Sequence, residues 1–200
     1  MRKNLKKFIL LIIIILALFT LTGCSLNFNF GEQGEEEATT SEQTSELEGL
    51  PVYTADADMT GYTKCEEMQG VEFYYPSNYI SVGKEEQPMF MDTEIAGASV
   101  NIVSSEIPSA FSFEGFVDAS IIGIENEMEI NGDVNKEYIN LNGRKAAKLE
   151  YTTDVDGSTM KVVQVIILKD TQAYILTMGG FESDFTELQP KLDKMIKSFK

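Results

Sequence analysis

Between Ser25 and Asp58 the chain carries nine carboxylates and no Lys or Arg, and this stretch limits where a fold can form. From Gly31 to Gly49 it is mostly Gly, Glu, Ser, Thr and Gln, with few large apolar side chains. Such a segment cannot bury enough surface to offset the entropy of ordering it, so it is expected to be a self-repelling spacer. At about 5 to 6 Å times the square root of length, roughly 35 residues reach about 30 to 35 Å. Apolar and aromatic residues return from about Met59, and the rest of the 200-residue chain is enough for one ordinary core.

The N-terminal side of the spacer has a different character. Arg2, Lys3, Lys6 and Lys7 precede Phe8 to Thr22, a run with no charge. The run is shorter than the roughly 18 to 20 apolar residues a spanning helix prefers, which predicts an export signal, with an uncleaved signal anchor as the alternative. Leu21-Thr22-Gly23-Cys24 resembles the bacterial lipobox. That resemblance implies that Leu21, Thr22 and Gly23 are read by a signal peptidase. It also implies that Cys24 is lipidated, becomes the first residue and ties the chain to the extracytoplasmic face of the cell membrane. Two or more acyl chains make a stable anchor. The expected organisation is therefore 1–23 signal peptide, 24–58 acidic tether and 59–200 folded domain.

Charge and missing side chains narrow the chemistry. The formal charge of −16 becomes −20 without residues 1–23, and 59–200 holds 12 basic against 23 acidic residues. Such a surface is repelled by anionic headgroups and argues against nucleic acid, whose phosphates need Lys and Arg. There is no His and no Trp, and Cys24 and Cys65 are the two cysteines. Without imidazole, Ser-His-Asp and Cys-His nucleophiles cannot be assembled within the chain. Two cysteines cannot make a four-ligand zinc site, so neither metal nor cofactor is expected.

Periodicity outlines the domain. Val71 to Tyr75 and Tyr79 to Val82 read as short strands around Pro76-Ser77-Asn78, and Ala98 to Ile107 as another. After Ser112, a plausible cap, Phe113, Phe116, Val117, Ile121, Ile124 and Met128 fall at helical spacing, with Gly115 and Gly123 weakening the helix. Lys136 to Leu141, Lys145 to Thr153, Lys161 to Lys169 and Ala173 to Met178 predict four strands, with Asn142-Gly143 and Asp156-Gly157 as hairpin turns. Phe185, Leu188, Leu192, Met195, Ile196 and Phe199 share a last helical face. Pro190 predicts a late start near Thr186 or a kink. This order implies an α+β single domain, an antiparallel β-sheet of about six to seven strands with two helices packed on it.

The strand-Tyr-Pro-turn-aromatic order of Phe73 to Tyr79, the helix, the four antiparallel strands and a closing Met195-Ile196-Lys197-Ser198-Phe199 resemble the PsbP-like domains over about Gly61 to Lys200. Tyr79 stands where these domains often carry Trp. The family is named for an extrinsic subunit of photosystem II, includes tethered bacterial lipoproteins, and shares its fold with a small nuclear-import factor. The resemblance implies an α/β/α sandwich and a non-enzymatic habit of docking on larger assemblies, and it transfers no catalytic residue.

Several motifs have ordinary explanations. Ser81-Val82-Gly83-Lys84 and Ser158-Thr159-Met160-Lys161 match Ser-x-x-Lys, but neither lies on an expected helix and Lys-Thr-Gly is absent. Asp154-Val155-Asp156-Gly157-Ser158 starts like a calcium loop, yet position twelve is Val165, so a hairpin turn is the better reading. Glu125, Glu127 and Glu129 would need a shaped cleft to act as an acid/base pair. Cys65 reads as a structural or tolerated thiol, since no basic cluster stands near it to stabilise a thiolate. Aromatics gather early, at Tyr53, Tyr62, Phe73, Tyr74, Tyr75, Tyr79 and Phe90. Alternation assigns half of them to the core, and Tyr74, Tyr79 and Phe90 are the candidate interaction face.

The function expected is that of a membrane-anchored lipoprotein whose domain binds another envelope protein without catalysis. An exposed apolar patch on one sheet face would mark it. The alternative is a small-ligand-binding lipoprotein, marked by a concave site with a few converging polar groups. An envelope enzyme comes last.

Overall fold

A computed structural model of the chain describes residues 47–56, 58–66, 71–84 and 87–200. Leu21, Thr22, Gly23 and Cys24, the expected signal and most of the expected tether lie outside those residues. The folded unit runs from Leu50 to Lys200.

In chain order it contains β1 (Val52–Tyr53), β2 (Tyr62–Lys64), β3 (Tyr74–Pro76), β4 (Tyr79–Ser81), β5 (Met89–Asp92) and β6 (Ser99–Glu106). Helix α1 (Phe113–Glu127) follows, then β7 (Asn135–Leu141), β8 (Arg144–Val155), β9 (Ser158–Lys169) and β10 (Gln172–Phe181). A 3-10 turn (Glu182–Asp184) leads into helix α2 (Phe185–Ser198). Eight strands form one sheet in the order β1-β7-β8-β9-β10-β6-β5-β4, and β2 pairs with β3 beside it. Apart from the parallel contact of β1 with β7, neighbours in the large sheet are antiparallel.

The tight turns explain the meander. Asn142-Gly143 and Asp156-Gly157 both have positive φ at each residue, the backbone that matches strand twist in a two-residue hairpin. Pairing therefore runs up to Val155 opposite Ser158, and β8 and β9 are longer than periodicity alone suggests. Ser112 caps α1 as expected, its Oγ accepting from the Gly115 N–H at 3.1 Å. Helix α2 starts at Phe185 and stays helical through Pro190. Proline leaves the Thr186 carbonyl without its helical donor, but Thr186 is exposed and water can take that place. The stripe Phe185, Leu188, Leu192, Met195 and Ile196 is buried and holds the helix on the sheet.

The structure departs from the sequence expectation in four places, the first being strand β2 (Tyr62–Lys64), which is not among the expected strands. Of Val71 to Tyr75, only Tyr74 and Tyr75 enter a strand, while Val71 and Phe73 reach the core from irregular backbone. Strand β5 carries no strong sequence signal, because Met and Pro dilute the β-branched pattern. Strand β1 lies within the stretch expected as tether. The Asn140 N–H donates to the Pro51 carbonyl, the Asn142 N–H donates to the Tyr53 carbonyl, and Tyr53 packs on the core. Two backbone bonds and one aromatic ring suffice to dock it despite the acidic surroundings.

Alternation divides the sheet into two faces. One face presents Val163, Val165, Ile167, Leu176, Met178, Val100 and Ile102 to the α2 stripe, with Phe73, Phe90 and Phe199 closing the cluster. The other face presents Val162, Gln164 and Ile166 of β9 with their register partners. Helix α1 covers the β7-β8 side of that second face. Lys136 meets Asp118, Lys145 meets Glu114, the Phe113 and Tyr138 rings lie 6.4 Å apart, and the Thr153 hydroxyl donates to the Glu129 carbonyl.

Candidate functional site

The candidate site is the remainder of the face shared with α1, from β9 across β10, β6 and β5 to the outermost strand β4. Register places Gln164 beside Thr177, Thr177 beside Asn101, and Asn101 beside Met89. The adjacent row runs Val162, Gly179, Ser99, Met91 and Ile80. The floor is thus uncharged, with the amides and hydroxyls of Gln164, Thr177, Asn101 and Ser99 set among Val162, Met89, Met91 and Ile80. Its outer lip is apolar: Ile80 is 55% and Val82 44% exposed, on or next to the strand that ends the sheet among the described residues. The floor is well shielded, with Gln164 1%, Thr177 5% and Asn101 7% exposed.

The α2 face instead holds its charges in structural pairs. Asp92 accepts from Asn78 Nδ2 and from the backbone N–H groups of Glu94 and Ile95, and Lys191 reaches it from α2. Burial pushes the Asp92 carboxyl up, but these donors outweigh it and hold the group below the ordinary carboxylate range. The Tyr79 phenol is raised, first by burial and then by the nearby Asp92 anion. Glu150 lies between Lys148 and Lys161. Burial raises its carboxyl, yet the two lysines bring it below its ordinary value. These groups join strands and helix and are occupied in doing so.

The sequence-derived candidates do not assemble. Tyr79 and Phe90 are buried in the core under α2, and Phe90 stacks on Tyr75 with centroids 3.8 Å apart. Tyr74 is half-buried in β3, its N–H donating to Ser198 Oγ. An interaction face built from Tyr74, Tyr79 and Phe90 is therefore corrected: alternation in β4 and β5 turns Tyr79 and Phe90 inward and leaves Ile80 outward. Ser158 and Lys161 sit three apart on a strand and face opposite sides, and Ser81 and Lys84 are not on a helix. Asp154 accepts from Thr159 within its hairpin and from Asn131 in the loop before β7. Glu125, Glu127 and Glu129 are exposed, and Cys65 is buried in the core. Among the described residues no group of three or more acidic or Cys side chains is placed to hold a metal ion. None of their helices is long and apolar enough to cross a membrane.

Sequence reasoning missed Ser99, Asn101, Gln164 and Thr177. Their signal was present: Gln164 interrupts Val-Val-Gln-Val-Ile-Ile, and Asn101 and Thr177 break similar apolar runs. What was missing was register, which alone puts the three interruptions side by side.

Comparison with known proteins agrees with the architecture. No curated protein matches the chain. Among solved structures, the cyanobacterial PsbP of Synechocystis sp. PCC 6803, called CyanoP, is 16% identical with a TM-score of 0.56, over 73% of this chain and 95% of that one. The Ran-binding protein Mog1p of Saccharomyces cerevisiae is 9% identical, with a TM-score of 0.49 over 70% and 94% of the two chains. LpqN of Mycobacterium tuberculosis, described as involved in cell envelope biogenesis, is 13% identical, with a TM-score of 0.47 over 70% and 89%. At 16% identity the likeness to CyanoP is one of fold. The PsbP family model matches residues 59–200, and with two helices on a mostly antiparallel sheet behind that match, the chain belongs to the PsbP family.

Proposed function

We propose that this chain is a lipoprotein on the extracytoplasmic face of the cell membrane, and that its PsbP domain is a non-enzymatic interaction module for another envelope protein. Residues 1–23 serve as the export signal, Cys24 carries the lipid, and the acidic stretch holds the domain 59–200 away from the membrane. The observation that carries the interaction reading is the exposed pair Ile80 and Val82 at the open edge of the sheet. Paired with β5 on one side, β4 ends the sheet among the described residues, and its other edge with the Ile80 and Val82 side chains offers backbone hydrogen bonds and a contact patch to an extended segment. The acidic domain surface favours a basic partner, and like charge keeps the module off anionic headgroups.

Crosslinking of the tagged protein in intact cells, followed by mass spectrometry, tests this. A dominant partner is expected for the wild type and lost in both Cys24→Ala and Ile80→Asp. A partner captured equally by Ile80→Asp sinks the edge as the contact, and no partner from abundant membrane-bound protein sinks the module.

A further inference from the structure

The chain contains two Asn-Gly dipeptides, Asn131-Gly132 and Asn142-Gly143, and the fold holds them differently. In such a dipeptide Gly has no side chain to keep its amide nitrogen away from the Asn carboxamide, which makes the pair prone to close a ring and lose ammonia. Asn142-Gly143 is held against that approach. The Gly143 N–H donates to Asn140 Oδ1 at 2.9 Å, and Asn142 Nδ2 donates to the Lys197 and Phe199 carbonyls at 3.3 and 2.8 Å. Both reacting groups are therefore occupied, in a turn fixed by antiparallel pairing on either side. Asn131-Gly132 instead lies in the loop between Ile130, which bridges to Thr153, and β7. Both residues are exposed, and among the described residues no hydrogen bond engages the Gly132 N–H. The Asn131 carboxamide has one tie, from Nδ2 to the exposed Asp154 carboxylate at 3.1 Å.

We infer that Asn131-Gly132 is a site of spontaneous covalent modification, where the fold permits deamidation to aspartate and isoaspartate while it protects Asn142-Gly143. The step needs only water. The Gly132 nitrogen gives up its proton to solvent base and bonds to Asn131 Cγ. The Cγ–Nδ2 bond breaks, and Nδ2 leaves as ammonia with a proton from water. A second water then opens the five-membered imide at one carbonyl or the other, with no change of oxidation state. Each event replaces a neutral carboxamide with a carboxylate, which cannot donate to Asp154, so the contact that joined this loop to the β8–β9 hairpin becomes a like-charge pair. Isoaspartate also adds one carbon to the backbone. Beside it lie the ties that fasten the end of α1 to the sheet. The Asn131 N–H donates to the Thr152 carbonyl at 2.8 Å, and the Thr153 hydroxyl donates to the Glu129 carbonyl at 2.7 Å. Deamidation therefore loosens the last turn of α1. The inference is independent of protein docking at β4 and stands if that docking fails.

The test incubates the full-length protein in detergent at mildly alkaline pH, folded and in guanidinium chloride. Each Asn-Gly peptide is then followed by digestion and mass spectrometry with detection of isoaspartate. The unfolded chain serves as the clock, because there the two dipeptides differ only in their sequence neighbours. In denaturant both should convert at rates within threefold of each other. In the folded protein Asn131 should convert at least tenfold faster than Asn142, since one side-chain hydrogen bond rather than three must open. No product at Asn131 over a time in which most of the unfolded chain is converted overturns the site. Asn142 converting as fast as Asn131 in the folded protein overturns protection by the fold. The consequence is read separately on Asn131→Asp, which is one of the two products. Hydrogen exchange should quicken at least tenfold in the last turn of α1, from Ile124 to Met128, while β10 keeps its wild-type protection. Unchanged exchange in that turn overturns the loosening.

Discussion

Lys191 of α2 places its Nζ 2.8 Å from Oδ2 of Asp92, a carboxylate whose side chain is fully shielded from solvent. The contact joins the last helix to β5, and the lysine also lies over the Tyr79 ring at 5.8 Å from its centroid. Asn78, Glu94 and Ile95 all donate to Oδ1, so removing Lys191 from Oδ2 leaves a buried charge that these neutral donors only partly compensate.

Lys191→Met should therefore destabilise the domain by about 3 kcal/mol, the order seen when one partner of a buried pair is removed. The pH dependence has a definite sign. The folded Asp92 carboxyl lies below its ordinary 3.8, so its contribution is fully present above that value and is lost as pH falls through the lower folded value. Without Lys191 two of the influences that hold the carboxyl down are gone, its folded value rises, and acid unfolding should begin at a higher pH. Urea unfolding at a series of pH values measures both effects, and an unchanged acid limb would refute this role for the pair.

Asn142 does two things at once. It holds a left-handed backbone with φ of 52° in the β7–β8 turn, and its Nδ2 donates to the Phe199 carbonyl at 2.8 Å. Asn142→Gly keeps the backbone and loses the tie, costing about 1 kcal/mol. Asn142→Ala loses both and should cost about 2 kcal/mol or more. Equal Tm values for the two variants would show that backbone conformation contributes nothing.

The adjacent glycines of β10 should respond oppositely to the same substitution. Gly180→Ala drives a methyl into buried Leu188 and should cost about 1 to 3 kcal/mol. Gly179→Ala meets open space and should be neutral or stabilise by about 0.4 to 1 kcal/mol, through the unfolded chain. Thermal unfolding of both variants compares them directly, and a loss at Gly179 as large as at Gly180 would contradict the open space at Gly179.

Ser112→Ala removes the single side-chain cap recorded for α1 and should cost about 1 kcal/mol. Hydrogen exchange should locate the loss in the first turn of the helix, and faster exchange spread evenly over the sheet would contradict a local capping role.

Local pattern alone determined much of this protein: Ser112 as the cap of α1, the stripe from Phe185 to Phe199, the Asn142-Gly143 and Asp156-Gly157 turns, and the α+β class. Each depends on residues within a few positions of one another, so period and turn chemistry suffice to read it. Tertiary structure decided what lies far apart in sequence. It turned Tyr79 and Phe90 inward and Ile80 outward, docked Val52–Tyr53 on β7, and set Gln164 beside Thr177 and Thr177 beside Asn101. The reason is register: a slip of one residue moves every side chain of a strand to the other face, and register is set by pairing across the whole sheet. The composition of each strand shows that a polar residue is present, but only the register across the ladder shows which polar residues lie side by side.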